Sequence, residues 1–286
     1  MPKRLLSGGR GKGGFAGKIV LVTGAASGLG RGIALAFARA GSDLVLVDID
    51  EEGLRETAAM VEGAGSRALT RRVDVSRREE MEGLAGEVLS SWGRVDILVN
   101  NAGVGVGGEL EAIPIEDIEW IVGINLMGEI YGTRLFLPQM IERGEGHIVN
   151  VASLSGLVLL PFHIAYTTTK FGLTGFSTAL WAEVRRHGIG VTLVCPGAVK
   201  TNISEHTRMH SKSQGQQDSA ERFERLLQER GMDPEEAGRR VLEAVAAGRF
   251  LLLLGFESYL LYYLTRLFPS LMRRVVSILT GFVSRK

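Results

Sequence analysis

The chain has 286 residues, and its 33 lysines and arginines nearly balance its 32 aspartates and glutamates, for a formal net charge of +1. This length and a hydrophobic content of 45% suffice for one large domain with its own apolar core. The near-neutral charge excludes a folded basic face for nucleic acid, because the basic residues before Ile19 form only a short tail.

Residues 1–17 are predicted to form a flexible basic tail. The glycine-rich segment Gly8–Lys12 has no strand before it and no helix after it, so it lacks the context of a phosphate-binding loop. No apolar segment follows Lys3 and Arg4, which argues against a signal peptide. The single cysteine, Cys195, cannot form a disulfide within the chain and favours a reducing compartment. We therefore expect a cytoplasmic protein.

An apolar run near 19–23, a glycine turn and a helical pattern near 30–40 follow the tail. The turn is Thr23–Gly30, with glycines at positions 24, 28 and 30. Glycines at these positions let the chain turn tightly and bring backbone N–H groups close to a pyrophosphate at the helix N-terminus. The pattern therefore predicts a phosphate-binding loop.

The rest of the chain alternates apolar runs with longer helical patterns. Strands are predicted near 43–47, 68–73, 97–100, 147–151, 191–195 and 250–254, and helices near 52–63, 77–92, 116–140, 165–187 and 235–247. This alternation predicts an α/β fold, a doubly wound, Rossmann-like parallel sheet of about seven strands with helices on both faces. Sites in such sheets lie beyond the carboxyl ends of the strands, where the prediction places Gly24, Asp48, Asn101, Ser153 and Pro196.

Tyr166 and Lys170 are four residues apart in a predicted helix, so they share one face of it. A tyrosine ordinarily has a pKa near ~10, and a nearby positive charge favours its phenolate form. The pair therefore predicts a proton-transfer site. Taken alone, the same spacing also fits an exposed pair on an amphipathic helix, and the other motifs decide between the two interpretations.

Together the motifs resemble the short-chain dehydrogenase/reductase family over roughly residues 17–255. They occur in the order and spacing of that family: Thr23-Gly-x-x-x-Gly-x-Gly30, Asp74-Val75, Asn100-Asn-Ala-Gly103, Asn125, Ser153, Tyr166-x-x-x-Lys170 and Pro196-Gly-x-Val-x-Thr201. The resemblance implies hydride transfer between a nicotinamide cofactor and an alcohol or ketone.

The resemblance also implies a role for each of four catalytic residues. Ser153 would hydrogen-bond the substrate oxygen, and Tyr166 would exchange the proton. Lys170 would favour the phenolate and hold the nicotinamide ribose. Asn125 would lie at a helix distortion and hold a water of the proton relay.

The cofactor contacts implied by the resemblance come from several strand ends. They comprise Thr23, Gly24, Ser27, Gly28, Leu29 and Gly30 in the glycine turn, Asp74, Val75, Asn101, Ala102 and Gly103 after the third and fourth strands, Tyr166, Lys170, and Pro196, Gly197, Val199 and Thr201. Asp74 would contact the adenine, although the sequence Asp-Val-Ser also fits a cap for the following helix.

The choice of cofactor depends on Asp48, which ends the second predicted strand. A carboxylate there accepts hydrogen bonds from the adenosine ribose and repels a 2′-phosphate. NADP-preferring members of the family usually have a basic residue where this chain has Ser27 or Ile49. The sequence therefore favours NAD, with NADP as the alternative. An alternative interpretation is that Asp48 only begins the turn Asp48–Asp50 and caps the next helix. Asp50 is the better candidate for that cap.

Residues 202–232 are predicted to form a lid over the substrate, because the polar segment Asn202–Gln217 is too long for an ordinary connection. His206 and His210 are four residues apart, but no third ligand is near them in sequence, so we predict solvated lid residues and no metal. The apolar segment Leu157–Phe162 predicts a pocket wall for a hydrophobic alcohol or ketone.

Residues 256–286 are predicted to form an amphipathic C-terminal extension beyond a catalytic domain at 18–255. Its apolar stripe comprises Leu271, Val275, Ile278, Leu279 and Phe282, with Arg273, Arg274, Ser277 and Ser284 largely off that stripe. Charged residues interrupt every apolar run of ~20 residues, which argues against a transmembrane helix. Two interpretations remain: peripheral contact with a membrane surface, or a helix that closes the pocket or packs on a second subunit.

The sequence thus predicts an NAD-favouring oxidoreductase for a lipid-, steroid- or retinoid-like alcohol or ketone. One alternative is an NADPH-dependent reductase of long-chain keto-lipids. Another is a nucleotide-binding scaffold without turnover, against which the complete set of Asn125, Ser153, Tyr166 and Lys170 argues. We expect a homodimer or homotetramer and no nucleic-acid partner.

Overall fold

The computed structural model describes residues 14–158, 162–201, 203, 206–210 and 231–283, with side chains described up to residue 278. The basic tail predicted before residue 14 lies outside the described residues. The same holds for most of the predicted lid and for the side chains of Leu279 and Phe282.

Nine strands are described, seven of them in one sheet. In chain order they are β1 (Ile19–Thr23), β2 (Asp43–Asp48), β3 (Ala68–Arg72), β4 (Ile97–Asn100), β5 (Gly105–Gly108), β6 (Gly146–Val151), β7 (Ile189–Pro196), β8 (Thr207–His210) and β9 (Leu251–Leu254). The large sheet is parallel, with the order β3-β2-β1-β4-β6-β7-β9. The strand order reverses beside β1, so the crevice expected at a topological switch point lies between β1 and β4.

Helices cover both faces of this sheet. They are α1 (Gly28–Arg39), α2 (Glu51–Gly63), α3 (Arg78–Trp92), α4 (Ile115–Val122), α5 (Glu129–Arg143), α6 (Ile164–Val184), α7 (Pro234–Ala246), α8 (Phe256–Leu267) and α9 (Pro269–Val283). Alternate residues of β1 point to opposite faces: Val20 and Val22 pack with α1 and α7, whereas Ile19 and Leu21 pack with α3 and α5. The predicted doubly wound fold is confirmed.

The single helix predicted at 116–140 is interrupted. A π-helical segment, Gly123–Gly128, joins α4 to α5 and contains Asn125. The helix distortion expected at Asn125 is therefore present. A π-helical turn carries one extra residue per turn and shifts the face on which the following residues lie, which is a common device at functional sites.

The sequence did not predict β5 and β8, which pair as a separate two-stranded parallel sheet. Glycines occupy three of the four positions in β5, so it lacks the apolar alternation typical of a strand. Close approach explains them, because a Cβ at Gly105 would lie 2.2 Å from Thr207 Oγ1 and one at Gly108 would lie 1.9 Å from His210 O. Part of the predicted lid is thus a strand held against the core.

Residues 14–17, which the sequence assigned to the tail, pack on α1. The ring of Phe15 is 9% exposed and meets Phe37 edge to face, with 5.2 Å between ring centroids. Ser42 Oγ donates a hydrogen bond of 2.9 Å to Phe15 O. An isolated aromatic residue in a glycine-rich segment gave no sequence pattern from which this packing could be read.

The predicted C-terminal extension consists of α8 and α9. Ser258 anchors the start of α8, since its buried Oγ donates to Leu254 O at 2.7 Å. Many apolar side chains of the two helices are exposed, among them Phe256, Tyr259, Leu260, Tyr263, Leu267, Phe268, Leu271, Val275 and Ile278. Among the described helices, none has the length and apolar character needed to cross a membrane.

Helices α1 and α7 approach closely through two glycines. A Cβ at Gly238 would lie 2.2 Å from Gly32 O, and a Cβ at Gly32 would lie 2.1 Å from Pro234 O. Both distances are far below van der Waals contact with backbone atoms that cannot rotate away. The packing of α7 against α1 therefore depends on glycine at these two positions.

Gly238→Ala is expected to lower the free energy of unfolding by about 1–3 kcal/mol or more, because the added methyl group forces the helices apart. Gly83→Ala in α3 is the matched control, since a Cβ there meets open space. It should be neutral or stabilise by up to ~1 kcal/mol through helix propensity. Urea denaturation of both variants provides the measurement, and equal effects would contradict the packing argument.

Candidate active site

The ends of β1 and β4 are tied together by Thr23 and Asn101. Thr23 Oγ1 accepts hydrogen bonds from the backbone N–H groups of Asn101 at 2.9 Å and Ala102 at 3.1 Å. Asn101 Nδ2 donates in return to Thr23 O at 2.9 Å and Gly24 O at 3.1 Å. The segment Asn101–Gly103 is therefore fixed directly beside the glycine turn, as the predicted crevice requires.

The glycine turn closes on itself and on Thr201. Gly24 and Gly28 have φ angles of +65° and +51°, a region that favours glycine. A Cβ at Gly30 would lie 1.9 Å from Gly24 O, and a Cβ at Gly28 would lie 3.1 Å from Thr201 Cγ2. Side chains at these positions would fill the space next to the turn. With glycine there, the backbone of the turn itself faces this space.

The N-terminus of α1 suits a phosphate group. Within the described structure, the side chain of Ser27 at the start of α1 caps none of its N–H groups, and the first turn carries no acidic residue. By contrast, Asp50 caps α2 and Asp233 caps α7, each with acids in the following turn. Leu29 is buried, so only its backbone could contact a ligand. A dinucleotide pyrophosphate fits the open, positively polarised end of α1.

Asp48 lies at the end of β2, next to the glycine turn. Its Oδ2 accepts from Ala26 N at 3.0 Å, and its Oδ1 accepts from Ile49 N at 2.7 Å. Asp50 Oδ1 accepts from Glu52 N and Gly53 N, both at 3.1 Å, which confirms Asp50 as the cap of α2. Asp48 thus orders the turn, and its carboxylate stays partly exposed at the mouth of the crevice.

Asp74 and Val75 follow β3. Asp74 Oδ1 accepts hydrogen bonds from the backbone N of Ser76 at 3.0 Å and from its Oγ at 2.7 Å. The cap position of α3 is occupied by Arg77, so Asp74 stabilises the preceding turn and does not cap the helix. Val75 is buried against the end of the π-helical segment, where a Cβ at Gly128 would lie 2.9 Å from Val75 Cγ2.

Lys170 and Tyr166 lie at the end of β6. The Lys170 side chain is buried, and its Nζ donates a hydrogen bond of 2.8 Å to Val151 O, the last residue of β6. The same Nζ lies 5.9 Å from the centroid of the Tyr166 ring. Tyr166 is partly exposed, so the ammonium sits below the ring on the protein side, and the phenol remains reachable from outside.

Ser153 follows β6 and precedes a short 3-10 turn, Leu154–Gly156. Its Oγ accepts from Ser155 N at 3.1 Å and donates to Ser155 Oγ at 3.2 Å. The residue is partly exposed, so a rotation of this hydroxyl would redirect its hydrogen from Ser155 to a ligand. Behind it lies Cys195, the predicted core cysteine, whose burial is confirmed.

Asn125 holds the segment that follows Gly103. Its Nδ2 donates to Val104 O at 2.9 Å, and its Oδ1 accepts from Val104 N at 2.9 Å. The amide thus satisfies both main-chain groups of Val104, as the backbone of a neighbouring strand does in a sheet. A Cβ at Gly103 would lie 3.5 Å from Asn125 Oδ1 and 3.6 Å from Lys170 Nζ. The structure therefore brings Gly103, Asn125 and Lys170 together.

The segment after β7 is held by the start of α8. Gly197 N donates to Leu254 O at 2.9 Å, and Ala198 N donates to Glu257 Oε1 at 3.0 Å. Val199 is buried and pairs with Met232, which lies beyond the lid segment. Pro196–Thr201 thus runs along the crevice, and its residue Val199 is joined there to Met232, the last residue of the predicted lid.

The predicted apolar wall lies beside β5. Leu157 is partly buried and Val158 is buried, whereas residues 159–161 lie outside the described residues. Phe162 has a φ of 59°, which is unusual for a residue with a bulky side chain. Its carbonyl oxygen accepts from Gly108 N at 2.7 Å, so β5 fixes the end of this wall.

A partly buried ion-pair cluster, which the sequence did not predict, anchors β8. Asp117 in the first turn of α4 pairs with Arg208, and its Oδ2 lies 2.6 Å from His210 Nε2. The hydrogen bond from Arg208, followed by that from His210, lowers the pKa of Asp117 below its usual value, although burial opposes the shift. Asp117 gave no signal in the sequence, because an acid in the first turn of a helix is typically a solvated residue.

His210 is therefore a structural partner of Asp117, and His206 is exposed. In the described ranges, no three histidine, cysteine, aspartate or glutamate side chains lie together as metal ligands would.

A second missed residue is Glu129, at the start of α5. Its side chain is 2% exposed, and its Oε1 lies 3.5 Å from Lys170 Nζ. Burial raises the pKa of Glu129 to about 8, although the Lys170 ammonium opposes this shift. The sequence gave no sign that this position points inward, because the π-helical segment before it changes the helical phase.

Comparison with known proteins places this geometry in a family. Residues 18–212 match the model of the short chain dehydrogenase family. A protein of Mycobacterium tuberculosis named as the oxidoreductase SadH is 36% identical over 265 residues, which cover 92% of this chain and 95% of that protein. Human estradiol 17-beta-dehydrogenase 11 is 35% identical over 269 residues, covering 92% of this chain and 84% of that protein.

Solved structures agree. A short-chain dehydrogenase/reductase from Burkholderia phymatum in complex with NAD has a TM-score of 0.79 and 33% identity, covering 84% of this chain and 89% of that one. A metagenomic short-chain oxidoreductase in complex with NADP has a TM-score of 0.68 and 30% identity, covering 84% and 96%. The chain therefore belongs to the short-chain dehydrogenase/reductase family of oxidoreductases.

Proposed function

We propose that the protein transfers a hydride between a nicotinamide cofactor, NAD in preference to NADP, and a hydrophobic alcohol or ketone. The observation that carries this proposal is the buried Lys170 ammonium below the ring of Tyr166, at the edge where the glycine turn also opens. Hydride transfer to a ketone leaves negative charge on the substrate oxygen, and oxidation of an alcohol begins from the same charged form. The site offers that oxygen a proton donor and a nearby positive charge.

The chemistry divides among three side chains. A nicotinamide, when bound, supplies the hydride acceptor or donor. In the oxidation of an alcohol, the Tyr166 phenolate takes the hydroxyl proton, and in the reduction of a ketone the phenol returns it. Ser153 donates a hydrogen bond to the same oxygen, and the Lys170 charge favours the phenolate. Asn125 keeps the segment at Val104 in place next to Lys170.

The cofactor site uses backbone more than side chains. In this proposal the pyrophosphate meets the N-terminus of α1 at Ser27–Gly30, and the adenosine lies between Asp48, the Asp74–Val75 turn and Asn101–Gly103. Thr201 and the Pro196–Val199 segment line the nicotinamide end. Two observations support this arrangement. Any side chain in the glycine turn would fill the space beside it, and the N-terminus of α1 has no side-chain cap.

The preference for NAD rests on Asp48. Its carboxylate lies where the adenosine ribose is expected, and it would repel a 2′-phosphate. Arg31, a basic residue near the same turn, pairs with Glu56 at 2.8 Å and donates to Thr57 Oγ1 at 2.9 Å. Because that guanidinium is already engaged, it gives NADP little support. The keto-lipid reductase that uses NADPH is therefore the second choice.

A hydrophobic substrate is supported by the apolar wall at Leu157–Val158 and Phe162. One relative carries a steroid in its name, estradiol 17-beta-dehydrogenase 11, which favours a steroid-like or similarly bulky lipid substrate here. In this proposal residues 202–232 form the lid of a catalytic domain at 18–255, and β8 holds the lid to the core through Asp117.

Peripheral attachment to an anionic membrane surface is proposed for the extension at 256–286. Its helices α8 and α9 expose apolar side chains, including Leu271 at 57% and Ile278 at 59%. Three described arginines lie on these helices, Arg266, Arg273 and Arg274, whereas the one acid of the extension, Glu257, is bound to the crevice segment. Apolar area combined with positive charge favours a lipid surface with anionic head groups. Attachment there would bring the protein close to lipid-like substrates.

Tyr166→Phe is expected to lose at least ~100-fold in kcat with little change in NADH affinity, because only proton transfer is removed. Lys170→Met should lower turnover and also weaken cofactor binding. The measurements are steady-state oxidation over a panel of hydrophobic secondary alcohols and NADH binding by fluorescence. Turnover of Tyr166→Phe close to that of the unmodified protein would refute the mechanism. Cofactor binding by the native protein with no turnover on any alcohol or ketone would favour the scaffold alternative.

Cofactor preference is tested at Asp48. The native protein should bind NADH more tightly than NADPH, and Asp48→Ala should narrow the difference, because a carboxylate that repels the 2′-phosphate is removed. Asp50→Ala, which removes the nearby cap of α2, is the control and should leave the ratio of the two affinities unchanged. Tighter binding of NADPH by the native protein would overturn the assignment and favour the keto-lipid reductase.

Sedimentation with liposomes tests membrane attachment. The full chain should sediment with anionic vesicles at low salt and less so at high salt, since each Lys or Arg contributes on the order of 1 kcal/mol near such a surface. Truncation after Pro269 should abolish sedimentation and preserve NADH binding. The double variant Leu271→Glu/Ile278→Glu should act like the truncation, whereas Met60→Glu, at an exposed apolar position on α2, should not. If the full chain stays in solution, the exposed helices instead close the pocket or form a subunit interface.

A further inference from the structure

Glu129 is a buried carboxyl that the proposed chemistry does not use. It begins α5, one helical turn beyond Asn125, and its side chain is 2% exposed. Neither oxygen of its carboxyl has a hydrogen-bond partner among the described residues. Taking a carboxyl group out of water without hydrogen bonds is unfavourable, so its retention here calls for a partner.

That partner is Lys170. Glu129 Oε1 lies 3.5 Å from Lys170 Nζ, and both side chains are almost completely buried. This is an ion-pair distance that is longer than an ordinary hydrogen bond. The hydrogen bond of Nζ goes instead to Val151 O, at 2.8 Å. The ammonium thus lies between a carboxyl group, a carbonyl oxygen and the ring of Tyr166.

The other groups that face this pair are neutral. From β4, Asn100 Nδ2 donates to Glu129 O at 3.3 Å and to Asn150 Oδ1 on β6 at 2.9 Å. From β7, Cys195 faces Lys170, and burial raises the pKa of its thiol to about 12. Apart from this thiol, the ionisable groups that the described residues bring together here are Glu129, Lys170 and Tyr166.

The effect of Lys170 on Tyr166 depends on the charge of Glu129. Burial raises the pKa of Glu129 to about 8, and the Lys170 ammonium limits the rise. When the carboxyl is protonated, the full ammonium charge acts on the phenol of Tyr166. When it is ionised, the carboxylate compensates part of that charge and weakens its effect on the phenol.

We infer that Glu129 is a positioning residue, which holds the Lys170 ammonium in place and sets how strongly its charge favours the phenolate of Tyr166. The inference rests on the proposed function, in which Tyr166 exchanges a proton with the substrate. Glu129 contacts neither substrate nor cofactor in this arrangement and acts only through Lys170. A purely structural role would leave the ionisation of Tyr166 unchanged, which makes the two roles distinguishable.

Glu129→Gln removes the charge and keeps the shape. The phenol of Tyr166 is expected to ionise at a pH about one unit lower in this variant, because a unit charge several ångströms away has an effect of this order in a protein. Ultraviolet titration measures it as the difference between each protein and its Tyr166→Phe counterpart. Glu243→Gln, which removes an exposed carboxylate on α7, is the control and should not move the midpoint. An unchanged midpoint in Glu129→Gln would overturn the inference.

The same variants separate this inference from the proposed function. The rising limb of kcat/KM for alcohol oxidation should move to lower pH in Glu129→Gln by the amount that the titration shows. A shifted phenol midpoint in a protein that turns over no alcohol or ketone would defeat the proposed function and leave the inference standing. Turnover with an unshifted midpoint would defeat the inference alone.

Glu129→Asp provides a second test if Glu129→Gln does not fold. It keeps the charge and withdraws the carboxyl from Lys170 by one methylene group. The midpoint should again move to lower pH, by less than in Glu129→Gln, because the anion is farther from the ammonium. A midpoint equal to that of the unmodified protein, or one at higher pH, would overturn the inference.

Discussion

The buried ammonium of Lys170 is the interaction on which the rest of the site depends. A positive charge that is 3% exposed has lost most of its water and needs compensation from the protein. The end of β6 supplies a carbonyl oxygen, and α5 supplies the carboxyl of Glu129. The π-helical segment before α5 brings that carboxyl beneath the sheet edge together with Asn125. The position of Tyr166 over the same charge then follows from its place one helical turn before Lys170.

The parallel sheet makes this arrangement possible, because it brings several strand ends to one edge. Thr23 and Asn101 join β1 to β4 through four hydrogen bonds that involve both backbones. The glycine turn therefore has a fixed distance from Gly103, which in turn adjoins Lys170. The glycine turn and the Tyr166–Lys170 pair thus lie at different ends of one crevice, the first fixed by β1 and β4 and the second by the end of β6.

The sequence predicted the strands and motifs that are determined by residues close together in the chain. Most strands of the main sheet are rich in buried Val, Ile and Leu, whereas β3 is only partly buried, and the Tyr166, Lys170 and glycine motifs have fixed spacings. The patterns failed where contacts with residues distant in sequence determine the local structure. The strand β5 is glycine-rich because β8 approaches it closely, and the resulting Gly105–Gly108 sequence looks like a loop. Glu129 gave no signal in the sequence, because the π-helical segment inside the helix predicted at 116–140 shifts the helical phase of the residues that follow it. Phe15 packs on a ring that is distant in sequence.

Two acids hold the segment between Pro196 and Met232 from opposite sides of the crevice. Glu257 at the start of α8 accepts a hydrogen bond from Ala198 at the base, whereas Asp117 on α4 binds Arg208 and His210 in β8. Val199 pairs with Met232, and β8 pairs with β5, so the described parts of this segment contact the core at both places. Because α8 contributes one of the two acids, a hydrogen bond joins the start of the C-terminal extension directly to the segment that follows β7.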